Sequence, residues 1–446
     1  MKRRIALFVV LLIILSAGFY LNLVLPVITG YAAKNLASGV FVAGRSQESL
    51  ESEDLNFSVI KFTENKVDFE NKEVTSRFLW GKSTAVYIEG YGCTLVEDYT
   101  ADEIRNRHYP QTHVLPTNPD SIAWPMGAAT ADSLPAGIDI PKLNHAVAKV
   151  MSDSIPFKGT FALMVVYKGQ AVAEVYRNDF TRNTRFLGWS MGKSFVNTLV
   201  GIREKQGMID INAPLSFSTW DAGDPRQITT NNLMHMNSGL EWDESYGTLS
   251  DVTVMLHKEG DMASYALEHD VAYPADSVWA YSSGTTNIAC LALRQTFASD
   301  ADYWRFPREQ LFNKIGMRSA VLEMDASGTF VGSSYVYATL RDYARFGLLY
   351  LKNGNWLGEQ ILPDNWVSYT TTPAKGSDGN YGAFFWLNLS GDQPDAPADT
   401  YMSKGHDGQF IIIIPSKDLV VVRTGYSKKG EFSTNEMLKE ILKSLE

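Results

Sequence analysis

The chain has 446 residues, of which 45% are hydrophobic and 20% are charged, and its formal net charge is −10. This length and apolar content favour one large or two moderate folded domains over intrinsic disorder. The excess of acidic side chains leaves no broad basic surface for phosphate groups, so we expect no nucleic acid partner.

The N-terminal 33 residues carry the strongest targeting signal. Lys2-Arg3-Arg4 precedes an uncharged stretch over residues 5–33, which begins with a solid apolar run from Ala6 to Leu15. A membrane span needs about 20 apolar residues, whereas a secretory signal peptide has a shorter apolar core and a small-residue cleavage site. Because apolar residues resume after Leu15 without a clean cleavage site, residues 1–33 are predicted to be an uncleaved membrane anchor.

The charge distribution predicts an orientation for this anchor. Positive residues before a span favour the cytoplasmic side, so the rest of the chain, with its catalytic part, is expected outside the cytoplasm, in the periplasm or the extracellular space. The alternative is a cleaved signal peptide and secretion of the remainder.

Residues 34–130 are predicted to form a β-rich accessory region and a connector. Three short runs of β-branched or aromatic residues, 39–43, 57–62 and 83–88, indicate strands. The stretch 109–140 is rich in proline, glycine and aspartate, which is typical of an irregular connection. We therefore place a domain boundary near residue 130.

Residues 131–446 are predicted to form one domain of the α+β class. Apolar runs over 161–167 and 170–176, separated by Lys168-Gly169, predict a β-hairpin. Runs over 410–414 and 419–422 predict a second hairpin, and a final helix is expected over 435–445. Hairpins at both ends with helical sequence between them predict an antiparallel sheet flanked by helices, plus a helical subdomain.

Cysteine and histidine spacing gives no sign of a metal or a disulfide framework. Cys93 and Cys290 are far apart and form no CxxC or Cys/His pattern, so we interpret them as two buried thiols. The seven histidines contain no HExxH and no HxH pair. We therefore expect neither a metal site nor a cofactor.

The first candidate catalytic group is Ser190-Met191-Gly192-Lys193, at the start of a strongly periodic helical segment. Residues three apart lie on one face of a helix, so the Lys193 amine can take the proton of the Ser190 hydroxyl. The same spacing occurs at Ser58 and Lys61, where the sequence indicates a strand that would point the two side chains to opposite faces. The pattern alone does not separate a nucleophile from an ordinary helix cap.

Two further groups follow along the chain. Tyr281-Ser282-Ser283 comes about ninety residues after Ser190, and Gly405-His406-Asp407-Gly408-Gln409 directly precedes the C-terminal hairpin. Taken singly, Tyr281 is more often a half-buried aromatic residue, and His406 a hydrogen-bonded loop residue. Their order along the chain is the informative feature.

The three groups in this order resemble the signature of serine β-lactamases, D-alanyl-D-alanine peptidases and their esterase and amidase relatives: SxxK, then Y-x-N or Y-x-S, then K-T-G or H-x-G. Residues 233–240 and 342–350 are similar to further segments of this family. The resemblance covers most of residues 130–446 and implies a β-lactamase/transpeptidase-like fold. Residues 39–45 and 92–96 are similar to the class C-like branch that includes 6-aminohexanoate-dimer hydrolase and carboxylesterases.

The resemblance implies a role for each matching residue. Ser190 would attack the acyl carbonyl, while Lys193 and Tyr281 would move its proton. The positions implied to bind the substrate or the oxyanion are Ser283, His406, Gly408 and Gln409, with the backbone N–H groups of Ser190 and Gln409 as the oxyanion hole. The implied function is hydrolysis of an amide or ester in a small-molecule or peptide-like substrate, through an acyl-enzyme.

His406 departs from the pattern of many β-lactamases, which carry lysine at this place. An imidazole offers a weaker fixed positive charge than an ammonium group does for the carboxylate of a β-lactam. We therefore expect poor antibiotic hydrolysis.

Two alternatives stay open at this point. Gly188-Trp189-Ser190-Met191-Gly192 also matches the GxSxG nucleophile elbow of α/β-hydrolases, with His406 late in the chain, although no solid buried strand precedes it. The other alternative is a membrane-tethered module that senses cell-wall peptides or an antibiotic without turnover. The leaving group and the oligomeric state are open as well.

Overall fold

The computed structural model describes residues 2–111, 115, 119–131, 133–220 and 227–445. The α-helices are α1 (Lys2–Phe41), α2 (Gln47–Ser52), α3 (Ala101–Arg105), α4 (Ile140–Val150), α5 (Gly192–Lys205), α6 (Thr230–Met234), α7 (Asp251–Lys258), α8 (Met262–Leu267), α9 (Ser283–Gln295), α10 (Asp300–Pro307), α11 (Leu340–Leu351), α12 (Trp366–Thr370) and α13 (Thr434–Leu442). The strands are β1 (Glu64–Asp68), β2 (Glu73–Phe78), β3 (Gly81–Ile88), β4 (Gly92–Leu95), β5 (Thr160–Tyr167), β6 (Gln170–Tyr176), β7 (Phe186–Leu187), β8 (Val321–Leu322), β9 (Val336–Ala338), β10 (Asn355–Trp356), β11 (Glu359–Gln360), β12 (Trp386–Leu387), β13 (Tyr401–Gly405), β14 (Gln409–Ile414) and β15 (Leu419–Gly425).

A six-stranded antiparallel sheet carries the C-terminal part of the chain, in the order β12-β13-β14-β15-β5-β6. β5 and β6 form the predicted hairpin, and both Lys168 and Gly169 have the positive φ angles that a two-residue turn of this kind requires. β14 and β15 form the second predicted hairpin. Because β15 pairs with β5, the sheet joins segments that are distant in sequence, as predicted.

Helices cover both faces of this sheet, and side chains along each strand alternate between the faces. Leu163 and Val165 of β5 pack with the apolar stripes of α4 and α13. Met164 and Val166 of the same strand face the larger core, which includes residues of α5, α9 and α11. The predicted α+β class with an antiparallel sheet and flanking helices is confirmed, and α6 to α10 form the helical middle segment.

α1 is one continuous helix of 40 residues. The first part of this helix is exposed, and we refer to it as the bare part of α1. An 18-residue window in it has a mean hydropathy of 2.5, and none of that window is buried. By its length and composition this part could cross a membrane. From Leu25 onward, most of the helix is buried, and it packs on β2, β3 and β4 of the four-stranded sheet β1–β4 and on α7.

The N-terminal region differs from the sequence prediction in two segments. Residues 39–43, predicted as a strand, form the end of α1 and the turn after it, because packing against β1–β4 extends the helix beyond what local propensity favours. Residues 57–62, also predicted as a strand, form turns and a short 3₁₀ helix, since the positive φ of Ser58 bends the chain. The third predicted strand, 83–88, is confirmed within β3.

A buried ion pair fixes α1 to the rest of the protein. Lys34 Nζ lies 2.5 Å from Glu323 Oε2, and neither side chain is more than 2% exposed. Ser38 Oγ and the backbone N–H of Cys93 donate to the same carboxylate at 2.9 and 2.6 Å. Gly30 approaches the carbonyl group of His257 so closely that an added Cβ would collide with it. The second half of α1 is therefore an integral element of the fold.

Two further predictions concern the cysteines and the domain boundaries. Cys93 and Cys290 are buried free thiols, as predicted. The division of the chain at residues 33 and 130 stays a prediction. α1 runs through the first of these positions, and parts of the predicted connection over residues 109–140 lie outside the described residues.

Candidate active site

Ser190 lies in a 3₁₀ turn, Trp189–Met191, that leads directly into α5. The turn follows β7 and packs against β13 and β14 of the central sheet. Trp189 has a φ of 48°, a left-handed value that is costly for a bulky residue. The surrounding packing thus holds a strained residue beside Ser190, which stands at the start of α5 as the sequence predicted.

Lys193 is 1% exposed and sits in the first turn of α5. Its Nζ lies 3.1 Å from Ser190 Oγ and 3.0 Å from Ser283 Oγ, and it donates to the carbonyl oxygen of Ser333 at 3.0 Å. Burial lowers the pKa of Lys193 to about 8, although the nearby Glu244 carboxylate raises it. A neutral amine that can accept the Ser190 proton is therefore populated near neutral pH.

Tyr281 lies beside the same amine, with its ring centroid 4.8 Å from Lys193 Nζ. Burial raises the pKa of Tyr281 and the Glu244 charge raises it further, while the side chain of Ser190 lowers it. The phenol therefore stays protonated at neutral pH.

Glu244 is a residue of this site that the sequence analysis missed. Its carboxylate accepts hydrogen bonds from the Ser283 backbone N–H at 2.8 Å and from Ser283 Oγ at 2.6 Å. Trp242 Nε1 and the Tyr246 hydroxyl also donate to it, at 2.6 and 3.0 Å. Glu244 thus fixes Ser283 against Lys193 and places a negative charge near the amine. It lies in a polar stretch between α6 and α7, which carries no local signal of such a role.

The Gly405–Gln409 segment forms the tight connection between β13 and β14. Asp407 and Gly408 have positive φ angles of 58° and 85°. Both of their carbonyl oxygens accept hydrogen bonds from the fully buried Arg423, at 3.2 and 2.6 Å. Gln409 is buried, and its side chain bonds to the backbone of Gly425. The loop is therefore rigid, and Arg423 is a second contributor that the sequence analysis missed.

His406 projects from this loop with about half of its side chain exposed, and its Nε2 lies 3.2 Å from Asp407 Oδ1. Burial raises the pKa of Asp407 to about 6, although His406 lowers it. The imidazole stacks on Tyr246 at 5.2 Å and meets Trp189 edge-on at 5.9 Å. His406 thus lies beside Trp189 at the mouth of the site, and its contact with substrate stays a prediction.

The second SxxK match is not a comparable site. Ser58 lies in a turn and Lys61 in a 3₁₀ helix, so the strand that the sequence indicated there is absent. The Lys61 amine lies 5.0 Å from the ring centroid of Phe62 and is at the surface.

The geometry also bears on the α/β-hydrolase alternative. His406 pairs with its neighbour Asp407, and within the described part of the chain no hydrogen bond joins it to Ser190. The named strands pair only in the antiparallel sense, whereas a nucleophile elbow projects from a mainly parallel sheet. Ser190 Oγ instead lies 3.1 Å from Lys193 Nζ. Over the residues that the structure describes, no cluster of three or more metal-ligating side chains occurs.

Comparison with known proteins identifies the family that this chain matches. A family model described as Beta-lactamase matches residues 158–443. The 6-aminohexanoate-dimer hydrolase of Paenarthrobacter ureafaciens is 24% identical over 230 residues, which are 47% of this chain and 56% of that enzyme. The chain therefore matches little more than half of the length of this relative.

Solved structures resemble the fold of this chain. The penicillin binding protein of Bacillus halodurans matches with a TM-score of 0.52 at 14% identity, covering 66% of this chain and 98% of its own. A D-stereospecific amidohydrolase from Streptomyces matches with a TM-score of 0.52 at 14% identity, covering 68% of this chain and 98% of its own. At this identity the likeness concerns the fold alone, and it confirms the predicted β-lactamase/transpeptidase-like fold.

Proposed function

The chain belongs to the Beta-lactamase family of hydrolases, and on that basis we propose that it cleaves amide or ester bonds with Ser190 as its nucleophile. The observation that carries the proposal is the position of the Lys193 amine, which lies within 3.1 Å of both Ser190 Oγ and Ser283 Oγ. Two distant motif groups thereby meet at one buried base, which is the arrangement that activates a hydroxyl nucleophile.

Acylation follows from these positions. Ser190 Oγ bonds to the carbonyl carbon of the substrate while its proton passes to Lys193 Nζ, directly or through the Tyr281 hydroxyl. The bond from that carbon to the leaving nitrogen or oxygen then breaks, and the same proton passes to the leaving group. Water repeats the sequence on the acyl-enzyme and releases the acid and free Ser190.

Hydrogen-bond donors must stabilise the negative charge that develops on the carbonyl oxygen of the substrate. The backbone N–H groups of Ser190 and Gln409 are the proposed oxyanion hole, where each donor typically lowers the barrier by about 3 kcal/mol. The turn that carries Ser190 packs against β14, and Gln409 begins that strand. Gly408 lets the rigid loop come close, because a Cβ there would strike the Arg423 guanidinium group.

The substrate is proposed to be a small or peptide-like acyl compound. His406 and Ser283 are its proposed binding residues, and the half-exposed imidazole gives little fixed charge for a β-lactam carboxylate. The names of the relatives, a hydrolase of the 6-aminohexanoate dimer and a D-stereospecific amidohydrolase, support an amide as one class of substrate.

The bare half of α1 supports a membrane-anchored protein with its catalytic part outside the cytoplasm. We expect the intact chain to fractionate with membranes, and a protease added to the outer face to reach the catalytic part. Recovery of the chain in the cytoplasmic fraction at native expression would contradict this location.

Covalent labelling tests the catalytic proposal. A fluorophosphonate should modify Ser190 alone, and Lys193→Met should slow the labelling by at least about a hundredfold, since a general base typically contributes that much. Ser58→Ala is the matched control and should label at the wild-type rate. Peptide mapping by mass spectrometry locates the adduct.

The outcomes separate the alternatives. A Ser–His–Asp site would label almost equally fast in the Lys193→Met variant. A binding module without turnover would label in neither form. An adduct on any other serine would contradict the assignment of Ser190.

A further inference from the structure

An open groove of about 260 Å³ lies between α1 and the catalytic part of the protein. Its α1 wall includes Tyr20, Val24 and Val27, which cover about three turns of the helix with Ile28 and Tyr31. Its opposite wall includes Val59 and Leu249. We refer to this cavity as the anchor groove.

The inner end of the anchor groove is the mouth of the candidate active site. Trp189, which directly precedes Ser190, lines the groove, and so do His406 and Tyr246. These are the aromatic rings that stack around the loop of His406. A molecule lying in the groove would therefore place one end beside the nucleophile.

The outer end of the groove opens where the bare part of α1 ends. Tyr20 is 56% exposed, and large apolar side chains before it on the helix are exposed as well. Segments that contact α1 or adjoin its contacts also carry exposed apolar residues, namely Val59 and Phe62 around the short 3₁₀ helix and Leu79 and Trp80 in the turn between β2 and β3. Trp80 Nε1 donates to Asn22 Oδ1 of α1 at 2.7 Å, which places the Leu79-Trp80 turn next to the helix.

This set of exposed side chains is typical of a membrane surface. Soluble monomers rarely expose such a contiguous apolar patch, and tryptophan and tyrosine are enriched where a protein crosses from lipid to water. The outer end of the groove is thus continuous with the surface that would contact lipid.

The lining of the groove carries no Asp, Glu, Lys or Arg among the residues that the structure describes. Among the lining residues that the structure describes, the only titratable groups besides tyrosines are His406 and His257. Burial and, to a smaller extent, the charge of Lys34 lower the pKa of His257 to about 3, so this imidazole is neutral at physiological pH. An uncharged, largely apolar channel suits a hydrocarbon chain better than a charged peptide.

We propose that the anchor groove holds the hydrocarbon chain of an amphiphilic ester or amide that enters from the bilayer, with its acyl bond at Ser190. The proposal rests on the proposed function and narrows its substrate class to lipid-like acyl compounds. Its basis is the continuity of one apolar groove from the lipid-facing helix to the residue before the nucleophile.

The test compares two esters on the intact chain reconstituted in phosphatidylcholine vesicles. 4-Nitrophenyl decanoate has a chain that would fill the groove, and 4-nitrophenyl acetate has none. Val27→Trp fills the groove from the α1 side. Each buried methylene contributes about a fourfold gain in binding, so this variant should lower the decanoate-to-acetate ratio of kcat/KM at least tenfold relative to the wild type.

Two further variants make the comparison decisive. Leu249→Trp narrows the groove from the opposite wall and should lower the same ratio. Leu23→Trp lies on α1 but outside the lining of the groove, so it should leave the ratio within twofold of the wild type. Each ester partitions into the vesicles to the same extent for every variant. This partition therefore cancels when the decanoate-to-acetate ratio of a variant is compared with that of the wild type.

The result that would overturn the proposal is an unchanged ratio in both Val27→Trp and Leu249→Trp while acetate hydrolysis still depends on Ser190. That outcome leaves the proposed hydrolase function intact. Hydrolysis of both esters by Ser190→Ala would instead contradict the proposed function itself. Labelling of Ser190 by a fluorophosphonate in each tryptophan variant shows that the site is folded.

Discussion

Tyr31 of α1 stacks on Trp189, the residue before the candidate nucleophile, with ring centroids 6.5 Å apart and an angle of 21° between the rings. The same tyrosine meets His257 edge-on at 5.0 Å. A helix that begins as a bare apolar segment therefore ends up supporting the turn that carries Ser190. This contact links the N-terminal region to the candidate active site.

Removing the Tyr31 ring should weaken catalysis without removing any reacting group. An aromatic pair typically contributes about 0.5–1.5 kcal/mol beyond burial, so Tyr31→Ala should lower kcat about three- to tenfold. Tyr31→Phe keeps the stacked ring and should stay close to the wild type. Steady-state hydrolysis of 4-nitrophenyl acetate measures both, and equal losses would mean that the hydroxyl group matters and the stacking does not.

Lys193 and Tyr281 should act as one unit on the Ser190 proton. Lys193→Met and Tyr281→Phe should each lower kcat by about 10²–10⁴ while changing KM little. The kcat of the double variant should fall far less than the product of the two single losses. Once one of the two residues is changed, the other no longer contributes to proton transfer, so its removal has little further effect. Fully multiplicative losses would show that the two residues contribute independently.

The activity should rise with pH as Lys193 loses its proton. The folded-state pKa of this amine is lowered from 10.5 to about 8, and only the neutral form can accept the Ser190 proton. Hence kcat/KM should be low in acid, increase through about pH 8 and then level off. Glu244→Gln removes a charge that raises the Lys193 pKa, so the midpoint should move to lower pH.

A matched control identifies the titrating group. Glu241→Gln changes an exposed carboxylate in the same segment and should leave the midpoint unchanged. If the pH dependence of kcat/KM for Glu244→Gln coincided with that of the wild type, the loss of activity at low pH would come from protonation of a group other than Lys193.

Breaking the Lys34–Glu323 pair should strongly destabilise the fold. Glu323→Gln leaves the Lys34 ammonium group buried without its counter-charge, which typically costs about 3–5 kcal/mol in the free energy of unfolding. Adding Lys34→Met should recover much of this loss, because the glutamine oxygen can still accept the Cys93 N–H. The measurement is denaturant unfolding of the intact protein in detergent, followed by tryptophan fluorescence.

An exposed ion pair provides the comparison. Lys72 and Glu89 are 3.8 Å apart with both side chains largely in solvent, so Glu89→Gln should change the free energy of unfolding by less than about 1 kcal/mol. A similar small effect for Glu323→Gln would mean that water reaches the Lys34 pair.

The sequence predicts the catalytic domain better than the N-terminal region. Period-two apolar runs around short turns specify both hairpins, and the spacing of Ser190 and Lys193 places them on one helix face. The motif order also brings Ser283 to Lys193, as the structure finds. These features are local, or are linked by a known order of motifs.

Other features depend on contacts between distant segments and leave no local trace. Residues 39–43 look like a strand by composition, yet they end a helix that tertiary packing stabilises. Glu244 acquires its role only when its loop meets the start of α9. The stacking of Tyr31 on Trp189 likewise exists only in the folded chain.

The continuity of α1 would set a working height for Ser190 if the bare part of the helix spans a membrane, as proposed. α1 runs through Pro26 as one helix from that bare part to the part that packs beside Trp189, so a helix and not a flexible linker would join the anchor to the candidate active site. Eleven residues separate Tyr20 from Tyr31, a rise of about 16 Å along a helix. An enzyme anchored in this way would cleave bonds within about a nanometre or two of the membrane plane, which would favour lipids and other membrane-bound substrates over bonds deep in an extended extracellular polymer.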